Sequence, residues 1–319
     1  MTIRSKLLAL RRALAGLTLL ASPALADPQT LPKPVPTTLR PVLQDVLQEA
    51  PPAPFKPALW SVSDEDTTIY LFGTIHALRP GLPWFEGAVA QAFSESATLV
   101  TEIQDVGSLD TAQTLLGSAM LPPGQTLRGK LSIADRAAFE AALERASIPV
   151  AGLDRFKPWY AAVVLSSLPL LRAGYQLDQG VEIQLAGRAK ASGKTQEALE
   201  TAAYQLGLFD SLPEASQLNY LRQVVDNLDQ VTSQVDNLIV EWGEGDADGL
   251  AALMNADKSD AELVEVLLSR RNRAWAEWID KRLETPGTVF LAVGAGHLAG
   301  GGSVQDVLSG KGIVSRRLQ

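Results

Sequence analysis

The chain has no cysteine. That one absence excludes disulfides, thiolate nucleophiles and cysteine-bound zinc together. It has only two histidines in 319 residues. Basic residues are in deficit, 28 Lys and Arg against 36 Asp and Glu, giving a net charge of −8. Phosphate contacts need a basic surface, so nucleic acid is excluded as a partner. No apolar run reaches the roughly 20 residues of a bilayer span. Three catalytic signatures are also missing. There is no Gly-x-Ser-x-Gly elbow, no His-Glu-x-x-His and no glycine-rich phosphate loop, which disfavours serine hydrolases, zincins and nucleotide enzymes.

What the chain does have begins with an address. Arg4, Lys6, Arg11 and Arg12 precede an apolar stretch, Ala13 to Leu20, and Ala24-Leu25-Ala26 follows as an A-x-A cleavage site. Residues 1–26 read as a signal peptide cut after Ala26, which implies a periplasmic or secreted protein with no transmembrane segment. That segment carries four bases and no acids, so its loss makes the remainder more acidic by four charges. Residues 27–57 hold nine of the nineteen prolines and read as an extended linker. Residues 58–319 read as one domain, long enough to hold itself together by a large core without disulfides.

Two stretches organise that domain. Thr68 to Phe72 and Thr288 to Val293 are β-branched and aromatic runs that read as buried strands. Each leads into Gly-x-x-His, namely Gly73-Thr-Ile-His76 and Gly294-Ala-Gly-His297. These use every histidine in the chain. Gly73 and Gly294 allow a sharp turn or a close approach at the strand end. Parallel neighbours would then bring His76 and His297 over one cleft at the carboxyl rim of the sheet, where open α/β sheets bind ligands.

The rest of the pattern agrees with an α/β fold. Leu59 to Ser63 reads as a strand, Asp64-Glu65-Asp66 as its hairpin turn, Phe85 to Ser94 as a helix and Ala97 to Ile103 as a strand. This βαβ unit implies adjacent parallel strands and puts Glu102 at the same rim as His76. Asp105 reads as a solvated carboxylate. Ile148 to Leu153 is a short strand candidate. Pro158 opens a buried helix, and Gly180-Val181-Glu182 opens another, where Glu182 suits the helix dipole even without a site. Gln217 to Trp242 has the spacing of one long amphipathic helix. Arg271 and Trp275 share a helix face, where a buried arginine has a packing or anion-clamping job. Ile313 to Arg317 reads as a last strand. The expected fold is a central mixed β-sheet with a large helical insertion covering the cleft.

These residues together resemble the TraB/GumN family, which is related to the Tiki metalloproteases. The resemblance runs from about Pro57 to the C-terminus. It rests on Leu59-Trp60, both Gly-x-x-His motifs, Glu102, Gly152-Leu-Asp-Arg155, Lys157-Pro-Trp159, Gly174-Tyr175, Gly180-Val-Glu182 and Arg271-Asn272. The family pattern has Asp where Glu182 stands, and an acid where Arg270 stands. The resemblance implies a divalent-metal hydrolase site built from His76, His297 and Glu102. Glu102 serves either as third ligand or as general base, with Glu182 as the ligand in the second case. Two imidazoles and a carboxylate suit Zn, Mn or Co. The expected substrate is a peptide or protein. The alternative is a non-enzymatic periplasmic protein that binds a peptide, a metal or a haem-like ligand on the same fold.

Overall fold

A computed structural model describes residues 55–104, 116–255 and 261–319. The signal segment, nearly all of the proline-rich linker and Asp105 lie outside these residues. Strands β1 (Leu59–Ser63) and β2 (Thr67–Thr74) form the expected antiparallel hairpin. Asp64 makes its turn, with Oδ1 accepting from the amides of Asp66 at 3.2 Å and Thr67 at 2.8 Å. Helix α1 (Gly87–Glu95) crosses over to β3 (Thr98–Thr101). The chain then passes through α2 (Leu127–Lys130), α3 (Ile133–Arg145), α4 (Pro158–Arg172) and α5 (Val181–Ala191) to β4 (Thr195–Ala198). Helices α6 (Ala202–Asp210), α7 (Glu214–Asn227), α8 (Val231–Glu244), α9 (Ala247–Asn255), α10 (Ala261–Val264) and α11 (Arg270–Leu283) precede β5 (Gly287–Gly294). Helix α12 (Val304–Gly310) and the two-residue β6 (Arg316–Arg317) close the chain.

The six strands form one mixed sheet in the order β4-β3-β5-β2-β1-β6. Strands β4, β3, β5 and β2 run parallel, and β1 is antiparallel to both of its neighbours. Strands β2 and β3 do not pair, contrary to the simple βαβ reading. Strand β5, from the far end of the chain, lies between them and pairs with both. A short crossover guarantees that β2 and β3 are parallel, but not that they touch. Their separation matters, because it brings the end of β5 between the ends of the other two.

Both faces of the sheet are covered, and the strands alternate accordingly. On one face Phe72, Leu99, Phe290 and Ala292 join the large core with α4, α7 and α8. On the other, Ile69, Leu71, Val100, Val289, Leu291 and Val293 pack with Trp275, Ala276 and Ile279 of α11 and Val304 and Leu308 of α12. Burying both faces is why these strands read as continuous apolar runs.

Two local expectations change, and one strand is new. The stretch 148–153 is a series of turns: Ser147 is left-handed at φ 57°, and the Gly152 amide donates back to Pro149 O at 2.6 Å. The helix expected over 217–242 is two helices, α7 and α8, joined by a 3₁₀ turn at Leu228–Gln230. Asn227 marks the break, where its side-chain amide donates to Gln223 O at 2.8 Å and competes for the backbone. Strand β4 has no signal in the sequence, because Thr-Gln-Glu-Ala carries no apolar alternation.

Candidate active site

The three parallel strands β3, β5 and β2 end at one rim. Glu102 is one residue past β3, His76 two past β2, and His297 lies in a 3₁₀ turn, Ala295–Leu298, directly after β5. All three are buried, His297 completely. The strand register pairs Gly73 with Val293 and Thr74 with Gly294, so the two motif loops leave the sheet side by side. Gly73 is required there: a Cβ on it would stand 3.0 Å from both Cα and Cβ of Ala295. Gly294 contributes its amide, which donates to Glu102 Oε1 at 2.7 Å.

Each histidine is oriented through Nδ1. His76 Nδ1 lies 3.0 Å from Glu182 Oε1, and a carboxylate can only accept, so Nδ1 carries the proton. Glu182 reaches this position because Gly180 lets α5 begin against the first motif. A Cβ on Gly180 would be 2.5 Å from His76 O, and the Val181 amide donates to Ile75 O at 3.0 Å. His297 Nδ1 lies 2.5 Å from Asn272 Oδ1, while the Asn272 amide donates to Gly302 O at 2.7 Å. Arg271 Nη1 donates to His297 Nε2 at 3.0 Å, which fixes the same neutral tautomer. Burial, reinforced by the Arg271 charge, pushes the His297 imidazole down to about 3.

Arg271 is the hub. Its Nη2 donates to Glu102 Oε2 at 2.5 Å and to Glu200 Oε2 at 2.9 Å, and its Nε donates to Glu200 Oε1 at 2.9 Å. Its guanidinium lies 4.6 Å over the ring of Trp275, and that ring is 4.3 Å from His297. Gln205 Nε2 bridges Glu102 and Glu200 at 2.8 Å each, and Trp275 Nε1 donates to Glu200 Oε1 at 3.0 Å. Burial alone would raise the Glu102 carboxyl. Arg271, the two imidazoles and the Gly294 amide overcome it and hold Glu102 well below the usual carboxylate range. Arg271, expected to have either a packing or an anion-clamping job, lies against both carboxylates and the Trp275 ring. A π-helical turn, Glu265–Ser269, immediately precedes α11, whose second residue is Arg271.

Glu200, Gln205 and Asn272 complete the cluster. Asn272 is in the Arg271-Asn272 motif, and the resemblance implies no role for it. Glu200 and Gln205 carried no signal, because Glu200 follows the polar strand β4 and Gln205 lies within a helix.

Among the described residues no three His, Asp or Glu side chains converge as a ready-made metal centre. Arg271 donates to Glu102 Oε2 and to the His297 Nε2 lone pair, while that Nε2 lies 4.0 Å from Glu102 Oε1. The donor chemistry does fit a divalent ion. Both imidazoles carry their proton on Nδ1, Glu102 is ionised, and buried Glu182 Oε2 has no hydrogen-bond partner. A metal on His297 and the Arg271–His297 hydrogen bond exclude each other.

Compared with known proteins, residues 58–317 match the TraB/PrgY/gumN family. The chain belongs to that family. No curated protein and no solved structure matches it. Membership covers the whole described domain, from the first strand to the last, so the rim cluster lies inside the family's region. Among the described residues no helix is long and apolar enough to cross a membrane.

Proposed function

We propose that this TraB/PrgY/gumN domain is a metal-dependent hydrolase that cleaves peptide bonds, exported through the signal peptide at residues 1–26. The observation that carries the reading is the burial of both histidines, in the same Nδ1-protonated tautomer, around an ionised glutamate at one sheet rim. His76, His297 and Glu102 would hold the ion, with Zn, Mn and Co as candidates. When bound, the metal would supply a water acidified from a pKa of 15.7 to about 7.

The remaining work falls to the chain's own residues. Glu182 and Asn272 keep each Nε2 unprotonated and aimed. Glu200 holds the Arg271 charge in a buried place, where it can turn toward an oxygen that becomes negative as an amide bond is attacked. Glu182, bonded to Nδ1 of His76, lies on the side of that ring away from Nε2, so Glu102 rather than Glu182 is the carboxylate ligand of this reading.

The alternative, binding without turnover, is supported by the tight occupation of Glu102 and His297 by Arg271. One experiment separates the two. His76→Ala, His297→Ala and Glu102→Gln should each abolish chelator-sensitive cleavage of a peptide library while circular dichroism stays native. Because the residues act as a unit, the double histidine variant should lose little more than either single one. Wild-type turnover in a single histidine variant, or activity indifferent to chelation, would sink the metal reading. Metal binding with no cleavage in any metal form would favour the binding protein. For export, N-terminal sequencing of protein from its native host should begin at Asp27, and a retained Met1 would count against it.

A further inference from the structure

A cavity opens beside the histidine cluster and shares its wall. Thr74, Ile75 and His76 of the first motif and Ala295 and Gly296 of the second line it from the sheet side. Leu170 of α4, Leu238 of α8, and Leu250 and Met254 of α9 form its sides. These helices belong to the insertion, so the sheet supplies the chemistry while the insertion supplies the cavity.

The lining is almost wholly apolar, and two of its three hydroxyls are already engaged. Ser167 Oγ donates to Val163 O at 2.8 Å, and Tyr175 Oη donates to Asp236 Oδ1 at 2.6 Å. Apart from His76 no ionisable base or carboxylate lines it. A polar group entering would lose its hydration without a partner. Native interiors leave few voids larger than a water, so a solvent-connected cavity of this kind marks a site more than a packing fault. Leu171 lines it and is 43% exposed, an apolar side chain standing where the cavity meets solvent.

Size narrows the occupant. The cavity offers about 70 Å³ to the centres of water-sized molecules. One water needs roughly 10–15 Å³ of such space, so several fit, the scale of a single leucine, isoleucine, methionine or phenylalanine side chain.

We infer that this cavity receives one bulky apolar side chain of the substrate, on the residue adjoining the bond presented to His76. The inference rests on the hydrolase reading for the words "substrate" and "bond", but the cavity's preference can be measured without turnover.

The test has two arms on the full chain. In the first, saturation-transfer NMR compares N-acetyl-leucinamide, N-acetyl-alaninamide and N-acetyl-glutamate amide. The leucine compound should bind and the other two should not. Leu171→Trp at the opening and Leu238→Trp within should each remove that binding, and the exposed position of Leu171 protects its variant against misfolding. In the second, cleavage products of a peptide library are sequenced by mass spectrometry. One position beside the cut should favour Leu, Met or Phe. Replacing that residue by Ala should lower kcat/KM by about 10–200-fold, and Leu238→Trp should shift the preference toward Ala and Gly. Leucinamide binding lost in Leu171→Trp, with no cleavage under any metal, would fail the hydrolase reading and keep the cavity's preference. Cleavage indifferent to side chain, or equal binding of the leucine and glutamate compounds, would overturn the inference and leave the hydrolase reading standing.

Discussion

At the scale of single residues, the site depends on glycines as much as on its charged groups. Gly73 and Gly180 let three backbone segments approach, so a methyl group at either should act on stability before it acts on chemistry. Gly73→Ala pushes Ala295 away and should cost about 1–3 kcal/mol. Gly180→Ala meets the backbone oxygen of His76 at 2.5 Å and should cost more. Gly187, exposed in α5 with nothing within 4 Å of an added Cβ, should behave oppositely. Gly187→Ala should stabilise by up to about 1 kcal/mol, the helix preference of alanine over glycine. Urea midpoints of the three variants test the order. Arg271→Met would strand Glu102 and Glu200, both buried, without their cation. Breaking a buried ion pair from one side costs about 3–5 kcal/mol, so chemical denaturation should find this variant severely destabilised. Wild-type stability there would mean that the two carboxylates take up protons without penalty.

At the scale of elements, one family motif carries the fold and lies away from the cluster. Asp154, in Gly152-Leu-Asp-Arg155, grips Arg128 of α2, accepting from Nε at 2.9 Å with each oxygen and from Nη2 at 2.5 Å with one. Arg128 also donates to Glu140 of α3 at 3.0 Å, so the motif pins two helices. Hydrogen bonds from Arg128 hold the Asp154 carboxyl below its ordinary value. A carboxyl depressed in the folded state stabilises fully above its unfolded pKa of about 3.9, and loses that contribution as pH falls through the folded value. The urea midpoint of wild type should therefore drop more steeply between about pH 5 and pH 3 than that of Asp154→Asn. Parallel curves would show that the pair contributes nothing to the acid limb.

At the scale of the whole molecule, the C-terminus closes an edge that would otherwise pair with another chain. Strand β6 covers β1 through Trp60 and Ser61, the Leu318 amide donates to Leu59 O at 2.8 Å, and Gln319 Nε2 donates to Pro57 O at 2.9 Å. Arg317 lies 4.9 Å over the Trp60 ring and adds a charge to that edge. Removing residues 313–319 would bare the unpaired groups of β1, a template for edge-to-edge association. The truncated chain should show concentration-dependent light scattering and a lower urea midpoint, while the full chain scatters as a single species.

Much of this was legible in the chain because it depends on short-range pattern. Apolar runs ending in Gly-x-x-His read as strands with turns, and the unbroken apolar runs Ile69 to Phe72 and Val289 to Val293 signal a sheet buried on both faces. The α/β class, the helical insertion, the family and the rim positions of His76, His297 and Glu102 follow from such local signals. Partners across the sequence do not. Nothing in Thr195 to Glu200 announces a strand or a carboxylate that will hold Arg271, because that interaction is made over 71 residues and only once α11 has packed. Nor could spacing reveal that β5 enters between β2 and β3, since strand order is decided by which apolar faces the helices cover. The sequence by itself determined which side chains were available for chemistry. The tertiary structure decided that an arginine would stand among them, because a buried group of carboxylates requires a cation within reach and Arg271 is the one the packing of α11 supplies.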